Sequence, residues 1–123
     1  MAHKVLVVED DSAILEMMGY LIRHMGYEPV LEPDGLLALD AAQRDRPALV
    51  ILDIMMRPID GLKILERLRA VGGMEKTPVI LFTAAPEVGE RLAQIRDPLV
   101  SVLHKPVSFE EIRDAIQRAL PAV

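Results

Sequence analysis

Ala48-Leu49-Val50-Ile51-Leu52-Asp53 decides how the rest of this chain is read. Five apolar residues run directly into an aspartate. A continuous apolar run of this length predicts a strand buried on both faces, as inside a parallel sheet. Asp53 then stands at the carboxyl end of that strand. In open α/β sheets this is the edge where ligands bind, at the point where the strand order reverses. Taken alone, Asp53 could equally cap a loop or a helix start, as aspartates at strand ends do. The choice depends on what the other strands bring to the same edge.

Upstream, Val5-Leu6-Val7-Val8 predicts strand 1, ending in the acids Glu9-Asp10-Asp11. Helix 1 follows from Ser12 to Met25, with Ile14, Leu15, Met18, Leu21, Ile22 and Met25 forming one apolar stripe. Asp11 or Ser12 can cap its start, and Gly26 suits a left-handed stop. Strand 2, Glu28 to Leu31, contains Pro29, which removes a ladder donor and predicts an edge position. Helix 2 is expected over 36–44, packing through Leu36, Leu37, Leu39 and Ala42.

Downstream, the loop 54–61 leads into helix 3, with Leu62, Ile64, Leu65 and Leu68 buried and Gly72-Gly73 at its end. Pro78 to Phe82 is strand 4, with Thr83 at its carboxyl end. A short, polar helix 4 is expected over 88–96, and Leu99 to Leu103 is strand 5, leading to His104-Lys105-Pro106. In helix 5, Ser108 and Glu111 have capping-box spacing, and Val107 with Ile112 fits a hydrophobic staple. The whole is βα repeated five times, which implies a doubly wound parallel sheet with right-handed crossovers. Strands 1, 3 and 4 are the most apolar and belong in the middle, giving the order 2-1-3-4-5.

Composition narrows the function. The 123 residues fit one domain, and a chain 51% hydrophobic and 27% charged is not disordered. A net charge of −5 with two Phe, two Tyr and no Trp lacks the basic, aromatic-studded surface of a nucleic-acid binder. The absence of Cys excludes disulfides, a thiol nucleophile and thiolate metal sites. The N-terminus is too short in apolar residues for a signal peptide, and no stretch approaches the roughly 18 needed to span a bilayer. These features point to the cytoplasm.

The sheet edge now collects Glu9 and Asp10 from strand 1, Asp53 from strand 3, Thr83 from strand 4 and Lys105 from strand 5. Carboxylates in one crevice repel one another unless a cation intervenes, and an all-oxygen site suits Mg²⁺. His104 is expected to be a strand or surface histidine rather than a ligand. A metal-bound carboxylate beside a hydroxyl and an ammonium suits phosphoryl transfer, with Asp53 as nucleophile forming an aspartyl phosphate. Each residue has a plain reading of its own: Thr83 as strand, Lys105 as solvated charge, residues 9–11 as a capping cluster. Their convergence on one edge outweighs these separate readings.

At this point the chain resembles a two-component response-regulator receiver domain over essentially its whole length. The matching pieces are residues 5–11, Leu52-Asp53-Ile54-Met55-Met56, Asp60-Gly61, Thr83-Ala84 and Lys105-Pro106. The resemblance implies a flavodoxin-like sheet and a phosphoacceptor, not a turnover enzyme, in which Asp53 takes a phosphoryl group from a histidine kinase or histidine phosphotransfer protein. It implies that Asp10 and Asp53 bind Mg²⁺ with the Met55 backbone carbonyl, that Glu9 acts through water, and that Thr83 and Lys105 contact the phosphate. It also implies a cis Lys105–Pro106 peptide. Downstream targets, or a second copy in a homodimer, would use the face of helix 4, strand 5 and helix 5. There Arg91, Asp97, Glu111 and Arg118 are expected to form a solvated charged face.

The chain departs from the family pattern in three places. Pro58 stands one position later than usual, Pro98-Leu99 replaces a Gly-Ala pair, and Val102 replaces an aromatic switch residue. The positions two after Asp53 and two after Thr83 often carry polar groups that orient the attacking water. Here they are Met55 and Ala85, which hydrogen-bond water weakly or not at all, so a long-lived phosphoryl state is expected. A competing expectation, drawn from Val102 and Pro98, is a receiver-like interaction module that works without phosphorylation. A flavodoxin-type electron carrier would need a Ser/Thr/Gly-rich phosphate loop where Glu9-Asp10-Asp11 stands. An aspartate-nucleophile phosphatase would need an acid at Met55. The reading is of one receiver domain over 1–123, either free-standing or part of a longer protein.

Overall fold

In the computed structural model, which describes residues 3–84, 92 and 94–120, the apolar runs form five parallel strands. They are β1 (Lys4–Val8), β2 (Glu28–Glu32), β3 (Leu49–Asp53), β4 (Val79–Thr83) and β5 (Val100–His104), in the expected order β2-β1-β3-β4-β5. All five residues of β3 and of β4 are buried, as a central strand covered on both faces must be. β2, with Pro29, and the half-exposed β5 are the edges.

Alternate residues of the central strands feed two cores. Leu6, Val8, Val50, Leu52 and Leu81 pack on the side of α2 (Ala38–Asp45) and α3 (Gly61–Ala70). Val5, Val7, Ile51, Ile80 and Phe82 pack on the side of α1 (Ser12–His24) and the C-terminal helix (Phe109–Ala119). The stripe expected on α1 is present, with Leu15, Met18 and Ile22 buried. Asp11 is its N-cap, accepting from the Ala13 and Ile14 amides, and Gly26 follows with φ +92°. The Ser108–Glu111 capping box closes in both directions, and Val107 and Ile112 belong to one apolar cluster.

Helix 2 differs from expectation. Asp34 caps a 3₁₀ turn over Gly35–Leu37 before the α-helix begins at Ala38. That turn sets the frame so that Ala38, Ala41 and Ala42 face the sheet, while Leu36 and Leu37 stand 57% and 46% exposed. The expected helix over 88–96, with Arg91, falls largely on residues outside the described ones.

Candidate functional site

The register of the sheet brings the polar residues level. Val8 pairs with Leu52, Asp53 with Phe82 and Thr83 with His104, so Glu9, Asp53, Thr83 and Lys105 leave the sheet at one edge. Glu9, Asp53 and Thr83 are 2%, 4% and 1% exposed, and among the described residues they are the buried polar or charged side chains. Burial of such groups is costly without compensation, so their gathering at one place marks a site rather than a random surface. Asp10 is exposed and completes the acidic group: one carboxylate oxygen from each of Glu9, Asp10 and Asp53 lies within 4.8 Å of the others.

Local structure holds each member. The Glu9 amide extends the β1 ladder by donating to the Glu32 carbonyl at 3.2 Å. Asp53 Oδ1 accepts the Met55 N–H at 3.1 Å, and Asp53 Oδ2 lies 3.3 Å from Lys105 Nζ. The Lys105 amide donates to the Thr83 carbonyl at 2.8 Å, which ties the lysine backbone to the end of β4. The Lys105–Pro106 peptide is cis, as the resemblance implied, and so is Arg57–Pro58. His104 ends β5 and is exposed.

Gly61 is the positioning residue whose reason is invisible in sequence. Its N–H donates to the Ile54 carbonyl at 3.0 Å. A Cβ there would collide with the Asp53 carbonyl oxygen and press on the Ile54 backbone. Only glycine lets the start of α3 come this close to the end of β3. Asp60 caps the same helix through the Lys63 amide at 2.9 Å, so both ends of the loop after Asp53 are fixed.

The charges are unbalanced. Among the described residues, Lys105 Nζ, which also lies 3.6 Å from Glu9 Oε2, is the ammonium that pairs with these carboxylates. Glu9 Oε1 accepts the Asp11 N–H at 3.1 Å, but Glu9 Oε2 is buried with no hydrogen-bond partner. Burial pushes the Glu9 carboxyl from its ordinary 4.5 up to about 7, with repulsion from Asp53 adding to it and the Asp11 N–H and Lys105 opposing it. An all-oxygen donor set, a surplus of negative charge and an orphaned carboxylate oxygen fit a hard divalent cation. Beside the site, a groove of about 430 Å³ opens between α1 and the C-terminal helix, lined by Ile14, Met17, Phe82, Pro106 and Ile112.

Comparison with known proteins places this geometry. The family model described as response regulator receiver domain matches residues 5–117. Response regulator MprA of Mycobacterium bovis is 37% identical over 112 residues, which cover 91% of this chain and 48% of that protein. The chain therefore spans about half the length of the MprA relatives it matches. Among solved structures, the chemotaxis protein CheY4 of Vibrio cholerae superposes with a TM-score of 0.87 at 28% identity, covering 98% of this chain and 100% of that one. The signal receiver domain of a signal transduction histidine kinase from Syntrophus aciditrophicus gives a TM-score of 0.86 at 25% identity, covering 97% and 90%.

Proposed function

This chain belongs to the response regulator receiver domain family, and from that membership we propose that Asp53 accepts a phosphoryl group from the phosphohistidine of a histidine kinase or histidine phosphotransfer protein. The observation that carries the reading is the buried Asp53 carboxylate, with one oxygen held by the Met55 N–H and the other facing Lys105. It is an oriented nucleophile whose charge is already partly matched.

In the step itself, an Asp53 oxygen forms a bond to phosphorus as the histidine P–N bond breaks. The leaving electron pair returns to the imidazole nitrogen, which takes up a proton. Lys105 Nζ moves its contact from the Asp53 carboxylate to the oxygens of the incoming group, and the Thr83 hydroxyl hydrogen-bonds another of them. Fixed positive charge of this kind is the main source of catalysis in phosphoryl transfer. Asp10, Asp53 and the Met55 carbonyl, with Glu9 acting through water, would hold Mg²⁺. When bound, the ion would supply further positive charge to the transferring group.

On this reading residues 1–123 form one receiver domain, free-standing or part of a longer protein, that acts as a phosphoacceptor rather than a turnover enzyme, is read by a protein partner and does not itself contact nucleic acid. We place that partner, or a second copy, on the face that includes β5 and the C-terminal helix. No helix among the described residues is long and apolar enough to cross a membrane, and the cytoplasm is the compartment we assign. Intact-mass measurement after incubation with acetyl phosphate and Mg²⁺ tests the reading. One phosphoryl group is expected on the wild type, with none on Asp53→Asn and none in EDTA. No gain on the wild type would instead favour an interaction module that works without phosphorylation, the reading for which Val102 speaks.

A further inference from the structure

We propose that Met55 is a peroxide-oxidised modification site whose sulfoxide shortens the life of the phosphoryl group on Asp53. The second half rests on the phosphoacceptor reading; the first half does not.

The chain has no cysteine and seven methionines, so its sulfur chemistry toward a hydroperoxide is confined to thioethers. Access then decides which of them reacts. Met18, Met56 and Met74 are 0%, 5% and 1% exposed, and Met17 and Met25 are half-buried. Met55 is 51% exposed and is the exposed methionine among the described residues. It is also the methionine bound to the reactive carboxylate, through its N–H to Asp53 Oδ1 at 3.1 Å. Hydrogen peroxide is small and neutral, so the acidic group around Asp53 does not exclude it.

The oxidation balances without another reactant. The Met55 sulfur gives up two electrons and gains one oxygen, the peroxide O–O bond breaks, and the second oxygen leaves as water. The product replaces a very weak acceptor with a strongly polar S=O on the residue whose N–H holds Asp53 Oδ1. A water that donates to that oxygen can turn its lone pair toward phosphorus. Hydrolysis then forms a water-oxygen bond to phosphorus, breaks the Asp53 Oδ–P bond, and yields the Asp53 carboxylate and dihydrogen phosphate. As the chain stands, Met55 gives water no such partner, so oxidation converts a slow site into a faster one.

The test treats the full chain with hydrogen peroxide to one added oxygen and locates it by peptide mass mapping. The product is then loaded from acetyl phosphate with Mg²⁺, and phosphoryl loss is followed. Each protein is compared with its own unoxidised form, wild type alongside Met55→Leu. The first oxygen is expected on Met55, and loss is expected to accelerate about fivefold in the wild type, the scale of one added hydrogen bond. No acceleration is expected in Met55→Leu, and reduction by methionine sulfoxide reductase should restore the slow rate. Oxidation of Met17 or Met25 before Met55 overturns the site. An unchanged rate in singly oxidised wild type, or equal acceleration in Met55→Leu, overturns its consequence. A chain that takes no phosphate sinks the phosphoacceptor reading along with that consequence, and the peptide map still decides the oxidation separately.

Discussion

Glu9 shows how a single residue carries the tension of the site. Its carboxyl titrates near 7 because it is buried beside Asp53, so between about pH 4.5 and 7 the folded state holds a proton that the unfolded state has released. Stability therefore falls as pH rises through this window and levels off above it. The full difference corresponds to about 3 kcal/mol at most. Urea unfolding in EDTA at pH 5, 6 and 8 should show this decline. Glu9→Gln should flatten it, and Mg²⁺ should restore stability chiefly at pH 8, where ligation replaces the proton. A metal-free protein more stable at pH 8 than at pH 5 would contradict the assignment. At this scale the site was largely legible in the sequence, because a strand of apolar residues ending in an acid can be read from one line. Gly61 was legible only as a motif partner of Asp60. Its reason is a backbone approach to Asp53 between residues apart in sequence.

At the scale of elements, what local rules govern was readable and what distant partners govern was not. The Ser108–Glu111 box and the Asp11 cap join residues two or three apart, and both form. Arg69 and Asp97 are 28 positions apart, yet Arg69 Nε and Asp97 Oδ2 lie 2.6 Å from each other, and Arg69 Nη1 donates to the Met74 carbonyl at 2.8 Å. This ties the end of α3 to the approach to β5. Burial raises the Asp97 carboxyl, but the bonds from Arg69 and the Leu99 amide prevail and hold it below the ordinary range. Asp97 is therefore not part of a freely solvated face, and Glu111 is engaged in its cap. Helix α2 gives a sharper case. Leucine looks like the packing residue, but the 3₁₀ turn hands the sheet-facing positions to alanines, whose small side chains let the helix lie close. Leu36→Ser is then expected to change stability by no more than about 0.5 kcal/mol, as at other surface positions. Ala41→Leu should destabilise by roughly 1–3 kcal/mol through overpacking. Urea midpoints compare the two directly, and the opposite ranking would restore the leucine frame.

For the whole molecule, the order of the sheet followed from which strands are most apolar, and the site followed from that order. Coupling across the molecule is a different matter, because it depends on what fills the space beneath the far face. Val102 pairs with Leu81, two residues before Thr83, and packs against the core on the α2 and α3 side together with Leu92, Ile95 and Val100. It acts there as a core filler, half-buried and without a ring that could swing between two positions. If the space among Leu92, Ile95 and Val100 is matched to a valine, an aromatic ring does not fit without displacing its neighbours. Val102→Tyr is then expected to lower stability by roughly 1–3 kcal/mol, the usual consequence of overpacking. The same substitution should leave the initial rate of phosphoryl uptake from acetyl phosphate within about twofold, because the Met55 N–H and Lys105, which hold the two Asp53 oxygens, are left unchanged. Urea unfolding and a mass-resolved time course read the two effects separately. A Val102→Tyr protein as stable as the wild type would mean that room for a ring has been kept at this position. Loss of stability with uptake preserved would mark position 102 as a core filler whose packing is independent of the chemistry at Asp53.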